Sequence, residues 1–255
     1  MKVTLLGTGT STGVPMIGCQ CRTCLSEDPR DKRLRVSALI QTASTNVLID
    51  TSADFRQQML RHDVRRIDGI FYTHFHYDHI SGFDDLRAFQ FLHRKSPKCY
   101  ANQETYEYMK RMFAYAFGGA KQSGGGLPEV DFAVVDRNAV HVGDITMQPL
   151  HIGHGVLDIL GYRAGKFAYL TDCNTIPKES LEQLNGLDVL VLDGLRYSKH
   201  PTHLSIDEAV DTANRIGARV TYLTHMNHDV LHAHAEAHLP ENVRLGYDNL
   251  TFTID

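Results

Sequence analysis

The sequence contains a dense group of metal-ligand side chains directly after a short apolar segment. Positions 73–79 read Thr-His-Phe-His-Tyr-Asp-His. His74 and His76 are two residues apart, so in extended backbone their side chains point the same way and can share one metal ion. Asp78 and His79 follow where a turn or helix start is expected, and they can face a second ion. Imidazole and carboxylate are ligands that zinc, manganese and iron(II) accept, so the pattern predicts a site for divalent ions.

A second group of ligand-type side chains is a cysteine cluster near the N-terminus. Cys19, Cys21 and Cys24 lie within six residues, a spacing that lets three thiolates surround one tetrahedral ion. No fourth ligand stands nearby in the sequence, and His228 is the residue we expect to supply it. Four protein ligands leave no position for a reactive water, so this Cys3His group is predicted to hold one structural zinc ion. Cys99 is expected to be a core thiol.

Length and composition limit the classes of protein to consider. The chain has 255 residues, 42% hydrophobic and 22% charged, which is ordinary for a soluble globular protein. We expect a single domain spanning residues 1–255. No run of 18 apolar residues predicts a membrane span, and the first residues lack the pattern of a signal peptide, so a cytoplasmic location is expected. Five Cys residues then do not indicate a disulfide scaffold.

Charge gives little support for a nucleic-acid partner. The net charge is −4 and no long run of Lys or Arg occurs. A nucleic-acid interface usually appears as a basic face, and none is required here, although Arg65, Arg66, Arg87 and Arg94 could gather on one surface. The expected partner is therefore a small molecule, without a membrane, and a homodimer is left open.

The elements that must position these side chains are strands with helices interspersed. Apolar alternation and apolar runs predict strands at 2–6, 36–41, 46–50, 69–72, 132–135, 144–152, 159–163, 166–171, 188–193, 219–224 and 243–247. Helical spacing predicts helices at 84–93, 103–117, 177–184, 205–216 and about 229–237. The glycine-rich turn 7–13 is expected to let backbone N–H groups approach a substrate. Residues 118–128, with five Gly, predict either a lid or a plain surface loop. The whole indicates a sheet-rich α/β fold with helices on its outer faces.

The motif H-x-H-x-D-H after an apolar strand resembles the signature of the metallo-β-lactamase superfamily. Other motifs of that superfamily follow in order along nearly the whole chain, at Asp50, His154, Asp172 and His225. The resemblance implies an α/β fold of four layers, αββα, in which two mixed sheets are sandwiched between helices. It also implies a dinuclear site with these ligands: His74, His76 and His154 for the first ion, Asp78, His79 and His225 for the second, Asp172 as the bridge, and Asp50 in support.

Two histidines compete for the third motif of that family. His154 is favoured over His151 because Gly161-Tyr162 follows it at about the family's distance and Pro149-Leu150 precedes it. His151 is then expected to be a strand residue or to support the ligands.

Further motifs resemble the PhnP-type phosphoribosyl cyclic phosphate phosphodiesterases within this superfamily. They are Gly7-Thr-Gly9, Gly13-Val-Pro15, the cysteine cluster and the pair His225 and His228. The resemblance implies hydrolysis of a small phosphodiester, with a cyclic one as an option. Two divalent ions, zinc or manganese with iron as a further option, would activate a water and clamp the phosphate. It also implies a histidine that protonates the leaving oxygen or holds phosphate, and His203, two residues before the helix cap Ser205, fits better than His200.

Other functions of the superfamily remain as alternatives. A ribonuclease Z-like tRNA-processing nuclease would use the same core but usually carries a long arm, for which 118–128 is the sole option and holds one Lys. A glyoxalase II-like thioesterase would share the metal ligands but has no need of His203. A flavodiiron oxygen reductase normally has an acidic residue at the place of His76. A binding protein without activity would be expected to lose ligands, and none is missing.

Overall fold

Two seven-stranded sheets form the centre of this computed structural model, which describes residues 1–118 and 126–254. In chain order the strands are β1 (Lys2–Gly7), β2 (Ser37–Gln41), β3 (Asn46–Ile49), β4 (Gly69–Phe71), β5 (Lys98–Ala101), β6 (Asp131–Val134), β7 (Val140–Val142), β8 (Ile145–His154), β9 (Leu157–Ala164), β10 (Phe167–Leu170), β11 (Val189–Asp193), β12 (Val220–Thr224), β13 (Val243–Leu245) and β14 (Thr251–Thr253). The α-helices are α1 (Arg22–Leu25), α2 (Phe55–Arg61), α3 (Tyr77–Ile80), α4 (Arg87–His93), α5 (Gln103–Met112), α6 (Lys178–Glu182), α7 (Ile206–Ile216) and α8 (His232–Glu236). Short 3-10 helices occur at Pro29–Asp31, Ser81–Leu86 and Ala114–Phe117.

Both sheets are mixed. The strand order of the first sheet is β14-β1-β2-β3-β4-β5-β6, in which β3 to β6 run parallel and the other neighbours antiparallel. The second sheet has the order β13-β12-β11-β10-β9-β8-β7, in which β10 to β13 are parallel. The carboxyl ends of neighbouring parallel strands meet at one edge of a sheet, which is where loops carry functional side chains in such folds.

Side chains that alternate along the strands divide the core into three apolar layers. Phe71, Tyr162 and Val191 belong to the layer between the two sheets. The opposite face of the first sheet packs under residues of α2, α4 and α5, while α6, α7 and α8 cover the opposite face of the second sheet. Each fully buried apolar side chain of this kind contributes roughly 1.5–3 kcal/mol. The expected four-layer αββα architecture is therefore confirmed.

The two ends of the described chain meet at one edge of the first sheet. β14 pairs with β1 in antiparallel register, with Lys2 opposite Thr253. The amino group of Met1 donates to the carbonyl of Ile254 at 2.8 Å. β14 was not predicted, because three residues show no clear alternation and form a strand only when a distant partner strand is present.

Several predicted elements differ in their bounds or are interrupted. The predicted helix 103–117 ends at Met112 and continues after Phe113 as a 3-10 turn, and the predicted helix 84–93 begins as 3-10 structure before α4. The helix predicted at 205–216 is confirmed as α7, with Ser205 as its N-cap in a capping box with Glu208. Residues 119–125 of the predicted lid or loop lie outside the described residues. Among the described residues no helix is long and apolar enough to cross a membrane.

Candidate metal centre

Ligand-type side chains converge where strands of the two sheets end. Asp50 follows β3, Asp172 follows β10 and His225 follows β12, and in each the backbone turns with a positive φ of 60°, 56° and 62°. Non-glycine residues seldom adopt this left-handed conformation. Such residues concentrate at functional sites, where the surrounding structure holds them in place. The three turns therefore mark this edge of the sheets as the place where a site is built.

Three histidines form the first ligand group. The ligand atoms of His74, His76 and His154 lie within 4.8 Å of one another, and His74 Nε2 is 2.9 Å from His76 Nδ1. Burial lowers the pKa of all three imidazoles, and that of buried His74 falls well below its usual value. Neutral imidazoles have a free lone pair, which is the form that coordinates a metal ion.

Two carboxylates and two histidines form the second ligand group, and all four residues are buried. The ligand atoms of Asp78, His79, Asp172 and His225 lie within 4.8 Å of one another. Asp172 Oδ2 is 3.3 Å from His79 Nε2, and Asp172 Oδ1 is 3.1 Å from His225 Nε2. Asp172 Oδ1 is also 4.0 Å from Nε2 of His74. Asp172 thus lies between the two groups, as a bridging carboxylate must.

The electrostatics of the second group call for a cation. Burial alone would lower the pKa of His79 and His225, but neighbouring carboxylates, Asp172 foremost, raise both. Nε2 of each ring is buried without a hydrogen-bond partner in the described part of the chain. Orphaned ring nitrogens beside two carboxylates are costly unless a positive charge is shared among them. This donor set fits a divalent ion.

Hydrogen bonds at the ring nitrogens that point away from the ligand groups fix the orientation of two of the histidine rings. Asp50 Oδ2 lies 2.8 Å from His79 Nδ1, and the same carboxylate accepts hydrogen bonds from the amide and hydroxyl of Thr73. Nδ1 of His154 lies 2.9 Å from the carbonyl oxygen of Thr202. Each contact occupies Nδ1 and leaves Nε2 of His79 or His154 directed at the ligand groups. A hydrogen bond at the other ring nitrogen is the usual support for a metal-binding histidine. Asp50 thus contacts His79 on the side away from the ligand groups, where the family resemblance implies a supporting residue.

Asp193 is a component of the site that the sequence reasoning missed. It ends β11 with no exposed surface, and Oδ1 accepts the amide of Asp172 at 3.0 Å while Oδ2 accepts that of Leu204 at 2.9 Å. Oδ1 is also 3.1 Å from Nδ1 of His203. The signal was present, because an apolar run ending in Asp is the same pattern that identified Asp50. Asp193 joins the ligand group to the loop that carries His203.

His203 lies beside both ligand groups, whereas the two other histidines considered from the sequence do not. Its ring centroid is 4.8 Å from that of His154 and 4.8 Å from that of His225, and its side chain is buried. His200 is partly exposed, and its ring centroid lies 5.1 Å from that of His203. His151 instead contacts the carboxylates of Asp136 and Asp158, each at 2.8 Å.

The first N–H groups of the glycine-rich turn 7–13 are not open to a substrate, contrary to the prediction. The amides of Thr8, Gly9 and Thr10 donate to Asp248, Leu34 and Met226 respectively. A Cβ added at Gly7 would lie 2.0 Å from the carbonyl oxygen of Arg35, and one at Gly9 would lie 2.8 Å from that of Arg33. The glycines are needed because another segment of backbone packs directly against the turn.

The cysteine cluster is brought together with His228, as predicted. The ligand atoms of Cys19, Cys21, Cys24 and His228 lie within 4.8 Å of one another. His228 Nδ1 is 3.4 Å from Cys19 Sγ and 3.3 Å from Cys21 Sγ. Although burial opposes ionisation, the amide of Cys24 and the ring of His228 lower the pKa of the Cys21 thiol to about 6. Burial raises that of Cys24 to about 11, so a positive ion is needed to hold all the sulfurs as thiolates.

The two other cysteines stand apart from this group. Cys99 is fully buried in the apolar layer outside the first sheet, as expected for a core thiol. Cys173 follows Asp172 but is also fully buried, and burial raises the pKa of its thiol well above the usual value. Neither thiol is therefore a competent nucleophile.

Comparison with known families gives one match over most of the chain. Residues 45–226 match the model of the beta-lactamase superfamily domain. A crystal structure of a diphosphatase from the PhnP family superposes with a TM-score of 0.93 at 41% sequence identity, covering all of this chain and 98% of that one.

Two curated relatives are longer than this chain. An octanoyltransferase of Porphyromonas gingivalis (strain ATCC BAA-308 / W83) is 42% identical over 259 aligned positions, covering 100% of this chain and 52% of that protein. A ribonuclease Z of Bradyrhizobium diazoefficiens is 25% identical and covers 52% of this chain and 45% of that protein. The chain thus spans about half the length of the curated relatives it matches.

Proposed function

Because the chain belongs to the metallo-β-lactamase superfamily and is close to the PhnP family, we propose that this metal-dependent hydrolase cleaves a small phosphodiester. The observation that supports the phosphodiester is the position of His203. It is buried next to both ligand groups without completing either, and Asp193 holds its Nδ1. A proton donor at that place is needed when an alkoxide leaves, and not when a thiolate leaves.

The proposed ligands follow the two groups that the structure brings together. His74, His76 and His154 would hold one ion, and Asp78, His79 and His225 a second, with Asp172 shared between them. We assign the ions as zinc or manganese, with iron as a third option, because imidazole and carboxylate suit all three. Two divalent ions bound there supply an activated water and offset the charge on the phosphoryl oxygens.

The protein residues around the ions orient the substrate and supply a proton. Asp193 holds Nδ1 of His203, so Nε2 is the ring nitrogen left to meet the leaving oxygen. As that bond to phosphorus breaks, His203 donates its proton to the departing oxygen. Asp193 also accepts the amide of Asp172, so a single buried carboxylate sets the distance between the bridging ligand and the proton donor.

The relatives support a phosphorus-containing substrate more than an acyl group. The match to the diphosphatase at 41% identity covers the whole chain, and the name of that protein makes a diphosphate the second candidate substrate. The octanoyltransferase matches over only 52% of its own length, so its activity can reside in the other half. Acyl transfer through a thioester needs a free, exposed thiolate. Cys99 and Cys173 are fully buried, and the partly exposed Cys19 and Cys21 belong to the group proposed to hold the structural zinc. A tRNA substrate remains an alternative on the ribonuclease Z relative alone.

A substrate panel tests the proposal. Purified protein loaded with zinc or manganese is assayed with bis-p-nitrophenyl phosphate, 2′,3′-cyclic nucleotides, ribose cyclic phosphates, a diphosphate, a tRNA precursor and S-lactoylglutathione. We expect turnover of one or more small phosphodiesters, and none of the thioester. Turnover of the thioester alone, or of the tRNA precursor alone, would replace the proposal by the corresponding alternative.

The third proposed ion is a structural zinc bound by Cys19, Cys21, Cys24 and His228. This ion would connect the N-terminal segment to the segment that follows β12, since His228 lies some two hundred residues after the three cysteines. A Cys21→Ala change should lower the melting temperature by roughly 5–10 °C, since structural zinc contributes folding free energy directly. Activity should fall as well, because Met226, beside His225, exchanges backbone hydrogen bonds with Thr8 and Thr10 in the glycine turn.

Differential scanning calorimetry with and without chelator provides the measurement. A chelator should bring the wild type close to the Cys21→Ala variant and change that variant much less. Arg22→Ala, which changes an exposed residue at the start of α1 between Cys21 and Cys24, is the matched control and should melt like the wild type. A Cys21→Ala protein with wild-type melting and full turnover would rule out the structural ion.

A further inference from the structure

We propose that Asn174 is a positioning residue that holds the hairpin of His154 and the loop of His203 in one fixed arrangement. The inference rests on the proposed function, since it concerns how a metal ligand and the proton donor are kept in register. Asn174 is half-buried and follows the segment Asp172-Cys173 at the end of β10. Its side chain makes two hydrogen bonds, one to each of the two segments.

The first contact is with the β8–β9 hairpin. The amide of Gly155 donates to Asn174 Oδ1 at 3.0 Å, directly after His154. Backbone hydrogen bonds connect the same two segments. The amide of Asn174 donates to the carbonyl of Gly153 at 2.9 Å, and the amide of Gly153 donates to the carbonyl of Thr175 at 2.8 Å. The end of β8, where His154 stands, is therefore fastened to the segment that carries Asp172.

The second contact is with the loop before α7. Asn174 Nδ2 donates to the carbonyl of Pro201 at 2.8 Å. The next residue, Thr202, offers its carbonyl to His154 Nδ1 at 2.9 Å, and His203 follows. Hairpin and loop are also in close steric contact, since a Cβ at Gly155 would lie 2.7 Å from Thr202 Cγ2. A shift of the loop would move His203 and release the ring of His154 together.

The chemistry of the contact requires a side-chain amide. One group must accept from the Gly155 amide while it donates to the Pro201 carbonyl, and only an amide offers both at neighbouring atoms. Aspartate at 174 would keep the acceptor for Gly155 and place an oxygen against the carbonyl of Pro201. Alanine would remove both bonds. The two substitutions therefore separate the hairpin contact from the loop contact.

Hydrogen exchange tests the coupling without any assay of activity. In Asn174→Asp we expect faster exchange of amides in the loop 201–205 and little change in the hairpin 153–157. In Asn174→Ala both segments should exchange faster, and the first ligand group should lose its ion more readily to a chelator. Asn185→Ala is the matched control, because this exposed asparagine has a single bond to the Glu182 carbonyl. Unchanged exchange in both Asn174 variants would overturn the proposal.

A double-mutant cycle with His203→Ala tests the functional consequence. On an alkyl or ribose cyclic phosphate, Asn174→Asp should lower kcat/KM by roughly tenfold to a hundredfold, since small misplacements of a catalytic group are costly. In the His203→Ala background the same change should cost less than in the wild type, because only its effect on His154 through the Thr202 carbonyl is left. Equal losses in both backgrounds would overturn the positioning role. If the wild type cleaves no phosphodiester, the proposed function fails, and hydrogen exchange still decides whether Asn174 couples the two segments.

Discussion

Replacing His76 by alanine is expected to empty the dinuclear site while the Cys3His ion stays bound. His76 belongs to the first ligand group with His74 and His154, and this group shares Asp172 with the second. The ions supply several kcal/mol of stabilisation to the transition state, and each 1.36 kcal/mol corresponds to a factor of ten. Turnover should therefore fall on the order of 10³-fold or more.

Metal analysis provides the primary measurement. Protein purified without chelator should contain three ions per chain in the wild type and one in His76→Ala, because seven side chains serve the dinuclear site and four serve the Cys3His site. His141→Ala, an exposed histidine on β7 that contacts Thr146, is the matched control and should retain all three. Loss of every ion from His76→Ala would show that the two sites do not bind independently. One ion or none in the wild type would contradict the proposed count.

Replacing His203 by alanine is expected to have an effect that depends on the leaving group. An alkoxide needs a proton to depart, and general acids of this kind contribute roughly 10²–10⁴-fold. p-Nitrophenolate departs with little help. The His203→Ala enzyme should thus lose far more activity on an alkyl or ribose cyclic phosphate than on bis-p-nitrophenyl phosphate, as measured by kcat/KM at matched metal content.

Two controls make this experiment decisive. His200→Ala removes a partly exposed histidine from the same loop, and it should change kcat/KM on either substrate by less than about threefold. Metal content should be unchanged in His203→Ala. The metal measurement matters because the ring of His203 is within 4.8 Å of ligand atoms of His154 and Asp172. Equal losses on both substrates would mean that His203 holds phosphate, and a loss of metal would make it a ligand.

Much of the site could be predicted because its residues follow short apolar runs. The run before Thr73, the segment ending in Asp50 and the two Tyr-Leu-Thr segments all end at the edge where the side chains converge. Strand periodicity also separates His151 from His154, since an odd spacing places them on opposite faces. The strand pattern does not show whether His151 or His154 points toward the site, because that depends on the partner sheet. The choice of His154 came from the family resemblance.

The remaining features depend on contacts between distant segments. Asp193 acquires its role only when β10, β11 and the loop before α7 come together. Asn174 is likewise an ordinary polar residue in the sequence, and its two bonds connect residues 19 and 27 positions away. The amides of Thr8, Gly9 and Thr10 were wrongly predicted to be open to substrate, because spacing alone does not show which backbone packs against the turn. Local patterns identify ligands, whereas positioning residues require the assembled structure.

The meeting of the chain ends has a consequence for attaching other protein segments. β1 begins beside Ile254 and runs toward the glycine turn, where Gly9 pairs with Met226 next to His225. The six residues of β1 span about 20 Å. Both chain ends therefore lie at the end of β1 that is remote from the metal ligands. A fused domain or a surface tether at either end would leave the entrance to the site open. A circular permutant joining residues 254 and 1 by a short linker would likewise keep the catalytic edge intact.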